Sequence, residues 1–203
     1  ADDLTILNFM HEPEDDNLQL ELDNVTTWCQ SKNLDINVSK CHVMNISTKK
    51  SLSFEPVHVV NDVSLTDVPN LNILGCIFSD NLKWDKHVER CIRKASMRVH
   101  LIISLKRAGC SPEMLFNVYG SCIRPLLIYC LPTTCNLPEC LKRKLVNVEK
   151  RILRIIDSHD TNFPSLFEVG DVMCTRIFQN VVNDPQHPLR SFFDDRPRSS
   201  RNT

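Results

Sequence analysis

The stretch LNILGCIFSDNLKWDKHVERCIRKASMRVHLIISL, residues 71–105, holds the point at which the chain changes its periodicity. Leu71 to Phe78 is a short apolar run around Gly75 and reads as a strand. From Asp85 to Leu105 the apolar positions are Val88, Ile92, Ala95, Val99 and Ile102. They are spaced by alternating fours and threes, which is the signature of an amphipathic helix with basic residues on its other faces. The chain therefore reads as α+β: a partial antiparallel sheet with one or two helices, followed by an all-α bundle. No strand alternates regularly with a helix, so a doubly wound parallel sheet is excluded.

Downstream, Ser111-Pro112-Glu113 is a strong helix start, because serine caps, proline suits the first turn and glutamate favours the positive end. That helix is expected to run to about Tyr129 through Leu115, Val118, Cys122 and Leu126, with a disturbance at Pro125. Leu137-Pro138-Glu139 opens a further helix whose buried face carries Leu141, Leu145, Val148, Ile152 and Ile155. Arg143, Lys144, Lys150, Arg151 and Arg154 crowd its opposite side. A last short helix is expected over 165–181, and an Arg/Ser tail after Asp195 is expected to be disordered.

Upstream, residues 17–33 place Leu18, Leu22, Val25, Trp28 and Cys29 at helical spacing. Leu4, Ile6 and Asn8 alternate as the second half of a hairpin, and Leu34, Ile36 and Val38 as an extended stretch. Val43 to Ser47 reads as a strand, Thr48 to Ser51 as a polar turn, and Val57 to Leu65 as a hairpin around Asn61-Asp62. The domain boundaries implied are 1–82, 83–183 and a tail over 184–203.

Net charge is −1 over 203 residues, but the sign is segregated. Residues 1–82 carry 13 acidic and 4 basic side chains, and residues 83–154 carry 15 basic and 5 acidic. Solubility asks for mixed signs, so a basic block points to a polyanion, and nucleic acid is the commonest one inside cells. Four glycines and 11 prolines exclude collagen-like and low-complexity chains. No apolar run approaches the roughly 18 residues of a membrane span, and no signal segment is present, so no membrane partner is expected. The 10 cysteines include no C-x-x-C pair and read as reduced thiols of an intracellular protein. Cys130, Cys135 and Cys140 are evenly spaced, yet that spacing matches no common zinc module.

Asp2-Asp3 on a turn is by itself a weak signal, but adjacent carboxylates are costly unless a divalent cation or solvent neutralises them. The residues after it carry more information. Ala1-Asp2-Asp3-Leu4, then Leu22, Trp28, Asn33-Leu34-x-Ile36-Asn37, Lys40 and Met44 resemble the palm of non-LTR (LINE-type, jockey-like) retrotransposon reverse transcriptases. Leu74-Gly75-Cys76-Ile77-Phe78, Leu82, Trp84 and His87-Val88 continue the resemblance in the same order. Ile123-Arg124-Pro125-Leu126-Leu127-x-Tyr129 is similar to a thumb segment of these enzymes, and His187-Pro188-Leu189 to their tails.

The resemblance implies a piece of an RNA-directed DNA polymerase: the end of the palm with its primer-grip hairpin, then a helical thumb. Asp2 and Asp3 would be catalytic carboxylates holding Mg2+, and Lys40 would stand near the departing pyrophosphate. Leu74 and Gly75 would belong to the primer grip. Arg143, Lys144, Lys150, Arg151 and Arg154 would track duplex phosphates without reading sequence. Implied partners are an RNA template, a DNA primer and dNTP, in the nucleus or a cytoplasmic ribonucleoprotein.

The family's first palm aspartate and its fingers would precede residue 1, so the chain alone is not expected to polymerise. Two alternatives stand beside the polymerase: a non-catalytic nucleic-acid-binding helical module, and a functionless remnant of a decayed element. Taken singly, the residues also have plainer readings. Lys40 is then a surface lysine, Trp28 and Trp84 core or interface anchors, His87 a helix-start residue and Gly75 a strand-packing glycine.

Overall fold

The computed structural model describes residues 4–10, 15–47, 57–134, 136–157 and 164–191. It divides into two compact units, residues 1–86 and 87–203. No helix of the described residues is long and apolar enough to cross a membrane.

The first unit is a mixed α and β arrangement around helix α1, Leu18–Ser31. Asp16 starts it: its carboxylate accepts the Leu18 amide at 3.1 Å, and its other oxygen meets Nε2 of the buried His58 at 3.1 Å. One turn on, Gln19 pairs with the backbone of Val59 in both directions. Its Nε2 donates to the Val59 carbonyl at 2.9 Å, and its Oε1 accepts the Val59 amide at 2.8 Å. A side-chain amide thus mimics a neighbouring strand, and two hydrogen bonds fix the helix to the sheet.

Six short strands form three two-stranded ladders among the described residues. β1 (His42–Val43) pairs in parallel with β4 (Thr66–Asp67). β2 (Val59–Val60) pairs antiparallel with β3 (Val63–Ser64). The turn between them is Asn61-Asp62 with φ of 50° and 63°, the positive pair that a two-residue hairpin requires and that these short polar residues tolerate.

β5 (Asn70–Ile73) and β6 (Cys76–Ser79) form the third ladder, with Ile73 opposite Cys76. The apolar run Leu71–Phe78, which predicts a single strand, is therefore a hairpin. Its tip is Leu74-Gly75, with φ of 47° and 82°. Glycine takes that conformation without penalty, and leucine does not. Beyond the hairpin, Phe78 and Trp84 meet edge to face at 5.5 Å.

Three expectations for this unit need correction. The strand predicted over Val43–Ser47 is confined to His42–Val43 and finds its partner in parallel, because β4, not a hairpin neighbour, offers the free edge. Trp28, placed by spacing on the buried face of α1, is 56 % exposed, and α1 buries none of its residues below the surface. The apolar side of α1 rests on a thin ladder too small to cover it. The hairpin expected at the N-terminus is not formed by the described residues 4–10, which carry no strand.

Among the described residues the second unit contains helices and no strand. α2 (Asp85–Arg107) buries Val88, Cys91, Ala95, Val99 and Ile102 on one stripe. α3 (Pro112–Val118) begins where the sequence says: Ser111 Oγ accepts the Met114 amide at 3.3 Å, with proline in the first turn. The helix then widens into a π-helical turn, Tyr119–Ile123, before α4 (Arg124–Ile128). The cause is Pro125, which has no amide to donate and whose ring collides with the carbonyl four residues back. Widening the ladder by one residue accommodates it, and Arg124 N donates to Tyr119 O, five residues earlier.

α5 (Glu139–Ile156) places Leu141, Leu145, Ile152 and Ile156 in the core and ends on Asp157 in the left-handed conformation. Lys106 of α2 closes that end, with Nζ donating to the Ile155 carbonyl at 2.7 Å and contacting the Asp157 carboxylate. α6 (Leu166–Asn183) opens on a capping box: Ser165 N donates to Glu168 at 2.7 Å and Glu168 N to Ser165 at 3.2 Å. Gly170 lets α6 lie close on the turn Leu131–Thr134, since a Cβ there would stand 3.3 Å from that of Leu131. Ile102, Leu115, Tyr119, Ile123, Leu127 and Leu166 complete the core.

Candidate nucleic-acid interface

The five cations singled out on α5 all reach solvent, and the helical repeat gathers them on one side. Arg143, Lys144, Lys150, Arg151 and Arg154 are exposed, and the buried Leu141, Leu145, Ile152 and Ile156 occupy the opposite side. From Arg143 to Arg154 the stripe is about 16 Å long at the helical rise. Among the described residues none of the five enters an ion pair. A row of like charges is unfavourable in itself, since neighbours at three and four residues repel.

The acidic residue in the middle of α5 faces inward, which keeps the stripe purely positive. Glu149 accepts a hydrogen bond from Tyr119 Oη at 2.5 Å and stands 3.6 Å from Arg124 Nε. Its side chain is 13 % exposed and that of Arg124 7 %. Arg124 also donates through Nη2 to the Pro164 carbonyl, which ties the entry of α6 to the same group. Burial pushes the Tyr119 hydroxyl far up from its ordinary value, and the hydrogen bond to the Glu149 carboxylate pushes it further. The phenol therefore remains a donor throughout the useful pH range.

Several basic residues of the positive block have partners within the unit. Arg124 is buried, Arg98 donates to the Cys122 carbonyl beside the π-helical turn, and Lys106 closes α5. Lys142 lies over the Phe167 ring at 5.5 Å. The outward face of α5 remains for a polyanion, as do the exposed Lys86, Arg93 and Arg107 of α2. One neighbour on that face was not singled out from sequence: the exposed Asn147, within the stripe. Helical spacing does show it, since Arg143, Lys144, Lys150 and Arg151 stand three or four residues to either side.

The other expected site residues lie elsewhere. Asp2 and Asp3, the carboxylates for Mg2+, are outside the described residues. Lys40 is exposed at the end of the short helical turn Val38–Lys40. Leu74 and Gly75 form the tip of the β5–β6 hairpin, with Leu74 75 % exposed. Of the three evenly spaced cysteines, Cys140 is exposed at the start of α5, Cys130 precedes the Leu131–Thr134 turn, and Cys135 is outside the described residues.

His87 is buried in the first turns of α2, with Nε2 3.5 Å from Cys91 Sγ. Val88, Leu127, Leu131, Leu137 and Leu145 line the same small apolar crevice. Desolvation lowers its pKa, Arg90 and Lys94 lower it further, and a hydrogen bond to the Tyr129 backbone opposes them. The imidazole is held neutral in a packed interior.

Compared with models of known protein families, with curated proteins and with solved structures, the chain matches none.

Proposed function

We propose that the second unit binds the sugar–phosphate backbone of a nucleic acid through the outward face of α5. The observation that carries this is the stripe of five exposed cations with no ion pair among the described residues, and with the one central acid turned inward. Such a row is tolerable in solvent and favourable against phosphates, where each contact releases condensed counterions. Arginine and lysine are both present, and both hold phosphate without reading bases.

Within the same proposal the chain is part of an RNA-directed DNA polymerase of the non-LTR retrotransposon type. The support is the order of motifs from Ala1-Asp2-Asp3 through Trp28, Asn33-Leu34, Lys40, Leu74-Gly75 and His87. Asp2 and Asp3 would hold Mg2+, which supplies charge neutralisation for nucleotidyl transfer from dNTP. Lys40 would add positive charge at the leaving group, and Leu74-Gly75 would approach the primer strand on an RNA template. The contribution of the α5 face is to hold phosphates.

Fluorescence anisotropy with a labelled duplex over 50 to 300 mM salt tests the binding. Five phosphate contacts imply a log–log slope of about −4.5, from about −0.9 per contact on B-form DNA. Lys144→Glu combined with Arg151→Glu should weaken binding at least tenfold and flatten the slope. Absence of binding at the lowest salt would sink the proposal. Primer extension on a poly-A template addresses the polymerase part. Magnesium-dependent incorporation lost in Asp3→Asn establishes it and overturns the expectation that the chain alone is inert, whereas binding without incorporation is expected of the chain on its own under either reading.

A further inference from the structure

The α5 stripe has an uncharged centre. Asn147 is exposed in the middle of the outward face, with Arg143 and Lys144 one turn before it and Lys150 and Arg151 one turn after. On a helix these four are its nearest surface neighbours, with Cβ atoms about 5–6 Å away. Asparagine is among the poorer helix formers, so helix stability does not account for it at mid-helix. No hydrogen bond within the described residues uses its side chain.

The chemistry of the five groups differs from that of the sixth. The cations are donors only, satisfied by any phosphate, and fix position without identity. The asparagine amide both donates and accepts. So does a ribose 2′-hydroxyl, the group by which a protein tells RNA from DNA. The two lengths also suit an A-form minor groove, which is wide, shallow and lined with 2′-hydroxyls. The long side chains reach phosphates on its flanks, and the short amide meets the sugars between them.

We infer that Asn147 makes the α5 face prefer a duplex containing RNA over DNA, by pairing its amide with a ribose 2′-hydroxyl; this rests on the nucleic-acid reading above. The four flanking cations set affinity and the asparagine sets the choice of sugar.

The test uses the full chain and two labelled duplexes of one sequence, an RNA–DNA hybrid and an all-DNA duplex, titrated at one salt concentration. The intact chain should bind the hybrid about fivefold tighter, the factor equivalent to one net hydrogen bond. Asn147→Ala should bind both duplexes equally, with the salt slope unchanged and circular dichroism confirming the fold. A preference that survives Asn147→Ala would arise from A-form shape and overturns the inference while leaving the binding reading intact. Equal binding of both duplexes by the intact chain overturns it as well. No binding of either duplex removes both readings together.

Discussion

Tyr119 donates its hydroxyl proton to Glu149 across 2.5 Å, joining the π-helical turn to the inner side of α5. That one contact settles where the only mid-helix acid of α5 points. It leaves the outward side to Arg143, Lys144, Lys150, Arg151 and Arg154.

Removing one partner should therefore cost more than removing a hydrogen bond. Tyr119→Phe leaves Glu149 with Arg124 alone and should lower the unfolding free energy by about 1–3 kcal/mol. Glu149→Ala takes the carboxylate from a buried guanidinium and should cost about 3–5 kcal/mol. Urea denaturation followed by circular dichroism measures both. Equal losses in the two variants would mean that Arg124 does not depend on Glu149.

The hairpin tip makes a prediction of opposite sign. Leu74 has a φ of 47°, which costs a leucine roughly 1–2 kcal/mol and an asparagine less. Leu74→Asn produces Asn-Gly, the preferred pair for a two-residue hairpin, and should stabilise the first unit by about 1 kcal/mol. Gly75→Val, at a φ of 82°, should destabilise it. Thermal melts of the two variants against the parent chain decide the matter.

His87 gives the second unit a pH dependence. Its folded pKa lies below the ordinary 6.5, so the unfolded chain binds the proton more readily. The sign follows: its contribution to stability is present above pH 6.5 and is lost as the pH falls below it. Comparing denaturation at pH 7.5 and 5.5, the parent chain should lose more stability on acidification than His87→Asn. An identical loss in both would assign the effect to other groups.

Lys106 should matter modestly. Its Nζ satisfies the Ile155 carbonyl at the end of α5, but its side chain is 41 % exposed and that of Asp157 68 %. Solvent screening limits the ion pair, so Lys106→Ala should cost about 0.5–1 kcal/mol, nearly all from the lost carbonyl bond. The loss should be almost independent of salt between 50 and 500 mM in guanidine-free melts, whereas an ion-pair origin would make it shrink.

The helical half was legible because its signals are local. Val88, Ala95, Val99 and Ile102 announce the buried stripe of α2, Ser111-Pro112 the start of α3, and Leu141 to Ile152 the inner side of α5. The sheet half was less so. The parallel pairing of His42 with Thr66 spans many residues and leaves no periodic trace. Leu74-Gly75 reads as strand interior because its leucine conceals the turn, where Asn61-Asp62 displays one. Of the candidate site, the α5 cations followed from spacing alone. The inward turn of Glu149 did not, because its partners Tyr119 and Arg124 come from another helix. A hint existed, since Glu149 falls between Leu145 and Ile152 on the buried side.

The π-helical turn at Tyr119–Ile123 adds a residue to the helix without adding a loop, and so sets the rotational phase of everything after it. Threading the same residues through an unbroken α-helix would turn α4 by about 100° about its axis, the angle of one residue at 3.6 per turn. Leu127 would leave the core and Arg124 would swing away from Glu149. The widened turn is thus a phase correction: one surplus residue lets Leu127 and Arg124 face inward in a helix that must also pass Pro125.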